Sequence, residues 1–142
     1  MFCTLYDRDY HQWLKQTAQQ LRTRSFDEVD WDNLIEEIED MGKSQRRALE
    51  SYVIRLLEHL LKLAYWQSER DRLGNHWAAK IVNFRYQILE RLQDSPSLKT
   101  ALEGIYCETL PVAIKSVSKL CSLPPDAHIS LEQALDEDWF PE

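Results

Sequence analysis

Apolar side chains recur at three- and four-residue intervals along almost the whole chain, the spacing of one buried face of an α-helix. Tyr6, Tyr10, Trp13, Thr17 and Leu21 share one stripe, which predicts a first helix over about 5–22. Thr4 and Asp7 are placed for a capping box at its start. Trp31, Leu34, Ile38 and Met41, with Ile35 at the edge, predict a second helix over about 31–41. Asp30 suits its N-cap, and Gly42 follows its end. A long third helix is expected from a Ser44 cap to about Trp66, carrying Leu49, Val53, Leu56, Leu60 and Leu63. At about 1.5 Å per residue it would span roughly 33 Å, which makes it the central element.

The polar run QSERDRLGN reads as a connection, after which Asn75 caps a fourth helix to about Gln93. Its stripe is Trp77, Ile81, Phe84, Ile88 and Leu92. Ser95 and Pro96 then mark the N-cap and first position of a fifth helix reaching about Leu120. Gly104 and Pro111 lie inside it, so a break or kink is expected near Thr109. SLPPD ends that helix, and Ser130 with Gln133 forms the capping box of a short last one. No stretch alternates as a strand would. The expected architecture is all-α: a single-domain (1–142) antiparallel bundle of five main helices plus a short C-terminal helix. In the acidic tail 136–142, Trp139 and Phe140 are expected to dock back on the bundle, because a large apolar pair left in water is unfavourable.

Composition narrows the class. The length of 142 residues suits one domain that buries roughly 70% of its unfolded surface. A net charge of −7 disfavours a general nucleic-acid binder. Lys62, Arg70, Arg72, Lys80, Arg85 and Arg91, near Trp66 and Trp77, could form a nucleic-acid surface, but the acidic second helix offers them an internal counter-charge. The odd count of three cysteines, without a CxxC, suggests reduced thiols in a cytoplasm. The most apolar stretch, VIRLLEHLLKLAYW, is broken by Arg55, Glu58, His59 and Lys62, which argues against a membrane span. The start MFCTLYDRD shows no signal-peptide pattern.

Candidate chemistry lies in polar residues that interrupt apolar rows. Six of the fourteen residues in VDWDNLIEEIEDMG (29–42) are acidic and none is basic. Asp32, Glu36 and Asp40 fall on the outward side of the helix, and Asp30 and Asp32 suit its positive N-terminal end. Glu37 does not fit that pattern, since it shares a row with Leu34 and Met41. His59 lies between Leu56 and Leu63, Tyr52 between Leu49 and Leu56, and Arg85 between Ile81 and Ile88. Buried charges need partners. The expectation is therefore a half-buried polar cluster of Glu37, His59, Arg85 and Tyr52.

The leading role for that cluster is structural: Glu37 paired with Arg85 or His59, fixing how the helices dock. The alternative is an enzyme or metal-binding protein, with Glu37 and His59 as acid–base groups or metal ligands. A carboxylate-bridged bundle site uses repeated Glu-x-x-His, and none of His11, His59, His76 or His128 has a Glu three residues before it. No metal or cofactor is predicted. GxxxxGK, GxGxxG, GxSxG and HExxH are all absent. Cys107 has no His near it in sequence and reads as a packed thiol. The functional expectation is a non-enzymatic intracellular interaction module, with a protein partner or self-association.

Several motifs in fixed order carry a resemblance: YDRDYHQW (6–13), DWDNLIEEIEDMG (30–42), LLEHLLK (56–62), the helical row Trp77, Ile81, Arg85 and Ile88, SPSL (95–98), and LEQALDEDWFP (131–141). Together they resemble the bacterial, largely cyanobacterial, family called domain of unknown function 29, over nearly the whole chain. Leu63 stands where that family often has an aromatic after LLK. The resemblance implies a helical fold and brings no activity, cofactor or catalytic residue. Glu36, Glu37, Glu39, His59 and Arg85 all fall on its motif positions.

Overall fold

Asp9 ends one helix and starts the next. A computed structural model describes residues 3–142. In it the expected first helix is two: α1 (Leu5–Arg8) and α2 (Tyr10–Arg22). The Asp9 side chain accepts from the Gln12 N–H at 3.1 Å, so the break that it makes is also a cap. Thr4 Oγ1 accepts from the Asp7 N–H, as a capping residue should. The Asp7 carboxylate accepts from the Thr4 hydroxyl rather than from its backbone. A 3-10 turn over Phe26–Glu28 leads to α3 (Trp31–Tyr65). Asp30 caps α3 as expected, accepting from the Asn33 N–H.

α3 is one continuous helix of 35 residues, where two were expected. Gly42 was read as a C-terminal signal, but no glycine among the described residues has positive φ. Without that left-handed turn nothing stops the helix, and Gly42 simply forgoes up to about 1 kcal/mol of helix propensity relative to Ala. Ser44 is thus an interior residue and not a cap.

The fourth helix, α4 (Gln67–Asp94), begins eight residues before the expected Asn75 cap. QSERDRLGN lacks an apolar stripe but is rich in Gln, Glu, Arg and Leu, which favour helix, and Arg72 pairs with Glu69 within it. The real break is Trp66 alone, at φ −92° and ψ 70°. Its indole stacks on Trp77 at 5.6 Å. After a 3-10 turn at Pro96–Leu98 comes α5 (Lys99–Ser118), unbroken through Pro111. The proline denies the Cys107 carbonyl its helical donor, but Cys107 and Pro111 are exposed, so water can replace the lost bond. Thr109 Oγ1 donates to the Ile105 carbonyl at 2.7 Å. The short α6 (Leu131–Leu135) starts at the expected capping box of Ser130 and Gln133. The described residues contain no strand, and the fold is an all-α bundle.

The chain gathers into two compact units, Met1–Gln45 and Arg46–Glu142, and α3 contributes to both. In the second unit, Leu49, Val53, Leu56, Leu60 and Leu63 of α3 are buried with Trp77, Ile81, Phe84, Ile88 and Leu92 of α4. Leu102, Ile105, Ala113 and Val117 of α5 complete this core. The segment before α6 is pinned from both sides. Tyr106 donates to the Ile129 carbonyl, and Tyr65 accepts from the His128 N–H. In the first unit the buried residues are Trp13, Thr17 and Val29. Trp13 packs against Tyr6 edge-on at 4.8 Å and stacks with Tyr10 at 6.0 Å.

Candidate functional site

The acidic stretch 30–40 forms the first turns of α3, and Glu37 is its only half-buried carboxylate besides the Asp30 cap. Tyr10 donates to Glu37 Oε2 at 2.6 Å, and Tyr6 donates to Oε1. α1 and α2 bring the two phenols to one carboxylate because Tyr6 and Tyr10 lie four residues apart on either side of Asp9. The two hydroxyls hold Glu37 below the usual carboxylate range, Tyr10 contributing most. In return the Glu37 bond pushes both phenols above their ordinary value. Both oxygens of Glu37 therefore have neutral donors.

Arg85, one of the largest fully buried side chains, is held differently, and its Nη1 has no hydrogen-bond partner among the described residues. Nε donates to the Ala134 carbonyl at 2.7 Å, and Nη2 to the Gln133 carbonyl at 3.1 Å. These carbonyls sit in the last turn of α6, where the helix itself supplies no donors and its dipole is negative. The guanidinium also lies 5.0 Å over the Phe140 ring. Burial lowers the Arg85 pKa, and the charges of Asp136 and Glu137 partly restore it. Phe140 and Trp139 pack on the core as expected, and Arg70 donates to the Pro141 carbonyl at 2.7 Å.

His59 is half-buried. Its Nδ1 donates to the Arg55 carbonyl at 2.7 Å, and its ring meets Phe84 edge-on at 5.1 Å. Burial is the main cause of its lowered pKa. Tyr52 packs on the same Phe84 ring and carries Arg91 over its own face at 5.0 Å. So the residues of the expected polar cluster find their partners each within its own unit. Glu37 is bonded by tyrosines inside the first unit, and Arg85 by backbone inside the second. His59 and Tyr52 share an aromatic neighbour. The physical reason is that a buried guanidinium needs acceptors of any kind, and helix-end carbonyls without helical donors serve as a carboxylate would. Among the described residues, no three His, Cys, Asp or Glu side chains are placed to hold a metal ion. Of the six basic residues singled out above, Arg70, Arg72, Arg85 and Arg91 are each tied to a partner within the second unit.

The larger departure is the apolar row of the acidic helix. Trp31, Ile35, Ile38 and Met41 were expected to face a core, yet they are 45%, 51%, 57% and 58% exposed. Phe26, also 45% exposed, packs against Trp31 at 6.3 Å, and the Trp31 indole N–H donates to the Phe26 carbonyl at 2.9 Å. Hydrophobic spacing alone had found this row, but spacing does not say whether another element covers it. The result is an apolar ridge, with carboxylates along one flank, offered to solvent.

These features describe an all-α domain whose polar groups are spent on internal docking and whose acidic helix leaves an apolar row open. No helix among the described residues is long and apolar enough to cross a membrane. The chain belongs to the family described as domain of unknown function DUF29, whose profile matches residues 5–140. No curated protein and no solved structure matched the chain.

Proposed function

We propose that this chain is a protein-docking domain that acts by association rather than by chemistry, and that its docking element is the N-terminal part of α3. The observation that carries the reading is the exposed row of Trp31, Ile35, Ile38 and Met41. Four large apolar side chains on one helical face form a contiguous patch of the kind that marks interaction sites. The Trp31–Phe26 contacts hold the ridge in one conformation, which reduces the entropy lost on docking. Exposed, unpaired Cys3 and Cys107 suit a reducing compartment, and the docking is read as cytoplasmic.

A photo-crosslinking residue placed at Ile35, in cells that express the chain natively, tests the reading. The control is the same residue at the exposed Glu103 of α5. Adducts of defined mass at 35, absent at 103 and lost in an Ile38→Asp background, are expected. No adduct at 35, or the same adducts at both positions, overturns the proposal.

A further inference from the structure

We infer that the occupant of the open α3 row is a basic amphipathic helix. This rests on the docking reading above and names the chemistry of the partner.

The first argument is continuity. Trp31, Ile35, Ile38 and Met41 lie, at 100° per residue, on the same side of the helix as Leu49, Val53, Leu56, Leu60 and Leu63, after seven residues (42–48) without a large apolar side chain. From Leu49 onward that row is buried, and its neighbours in the core are the helical residues of α4 and α5. A helix is thus the element that this side of α3 packs against further along, and the bare run repeats the same three- and four-residue spacing. The bare part covers ten residues, or about 15 Å of helix axis, room for two to three turns of a partner.

The second argument is charge. At 100° per residue, Asp32 and Glu39 fall along one flank of the bare row, with Glu36 and Asp40 behind them. Asp32 and Glu39 are exposed, and neither has a hydrogen-bond or ion-pair partner among the described residues. The other flank holds Glu37, which is turned to the tyrosines of α1 and α2. A second copy of the chain would bring the same acidic flank against this one, since Val29–Gly42 contains no basic residue. Like charges brought together oppose that pairing. A helix with its own apolar row edged by Lys and Arg meets both features at once, gaining apolar burial in the row and opposite charge at the rim.

Labelled synthetic helices titrated into the full chain by fluorescence anisotropy test the inference. One probe carries Leu and Ile at helical spacing with Lys flanks, the second has the same row with Glu flanks, and the third is a scramble of the first. The Lys-flanked helix is expected to bind at least about tenfold tighter than the Glu-flanked one, with affinity that falls as salt rises. Ile38→Asp should weaken it by roughly thirtyfold or more, and the distant exposed Val112→Asp should not. Asp32→Lys with Glu39→Lys should invert the preference between the two flanks. Equal binding of both amphipathic helices, sensitive to Ile38→Asp, overturns the basic partner but leaves the docking row standing. So does a dimer in sedimentation equilibrium that Ile38→Asp abolishes. Equal binding of the scramble, or binding unaffected by Ile38→Asp, overturns both readings.

Discussion

Tyr10 donates its hydroxyl to Glu37 at 2.6 Å, so the YDRDYHQW stretch (6–13) is bonded to the acidic stretch 30–42. Tyr6 donates to the other oxygen of the same carboxylate. The pair sets two pH limits. Glu37 titrates below its ordinary value, so the stability from these bonds is present above the unfolded carboxylate pKa and is lost as pH falls through the folded one. The phenols titrate above theirs, so their share is present below pH 10 and is lost as pH rises through the folded values. Ultraviolet titration of tyrosinate should show three late-ionising phenols, Tyr106 being raised by its own burial. Glu37→Gln should return Tyr6 and Tyr10 toward the ordinary range and leave Tyr106 late. Unchanged late titration in that variant would refute the assignment.

His59 gives a different pH dependence. Its folded pKa lies below 6.5 because burial disfavours the imidazolium. Below about pH 6.5 the unfolded chain therefore takes up a proton that the folded chain resists, and stability falls until the folded pKa is passed. The proton resonances of His59 should titrate low, and His59→Phe should flatten the stability profile between pH 5 and about 6.5.

Arg85→Ala removes the donors of the buried Ala134 carbonyl and the half-buried Gln133 carbonyl, and uncovers the Phe140 ring. A cost of about 3 kcal/mol is expected in urea unfolding. Arg85→Lys should recover only part, since a single ammonium cannot reproduce the planar fork that reaches Ala134 and Gln133 together. Full recovery by Lys would mean that charge, not geometry, holds α6.

Gly42→Ala should stabilise the chain by about 0.5–1 kcal/mol, because a Cβ there meets nothing within 4 Å and the backbone is already helical. Gly74 is a useful contrast: a Cβ would touch Arg70 Cγ at 3.4 Å and Leu63 Cδ1 at 3.7 Å. Its gain should be smaller. Thermal unfolding of the two variants side by side reads the difference.

Much of this architecture was legible in the spacing of apolar residues. The rows Leu49–Leu63 and Trp77–Leu92 are buried as read, and the Ser130–Gln133 box caps α6. Boundaries were less legible where a single residue type had two meanings. Gly42 can end a helix or sit inside one, and only its φ decides. QSERDRLGN is polar because it is a mostly solvent-facing helical segment, which composition alone does not separate from a loop. The site was legible in part: Glu37 departs from the outward acids, but its tyrosine partners lie on other elements, and helical periodicity pairs residues only within one helix. Nor does periodicity distinguish the covered row at Leu56 from the bare one at Ile38.

The bond from Arg85 to Ala134 crosses 49 positions of sequence. During synthesis at roughly 5–20 residues per second, Arg85 is made several seconds before its acceptor exists. In that interval the apolar rows of α3 and α4 are already made, but the Arg85 guanidinium of α4 has no helix end to cap. The nascent second unit therefore keeps a charged, unfilled seat in its apolar wall, and the arrival of α6 closes it.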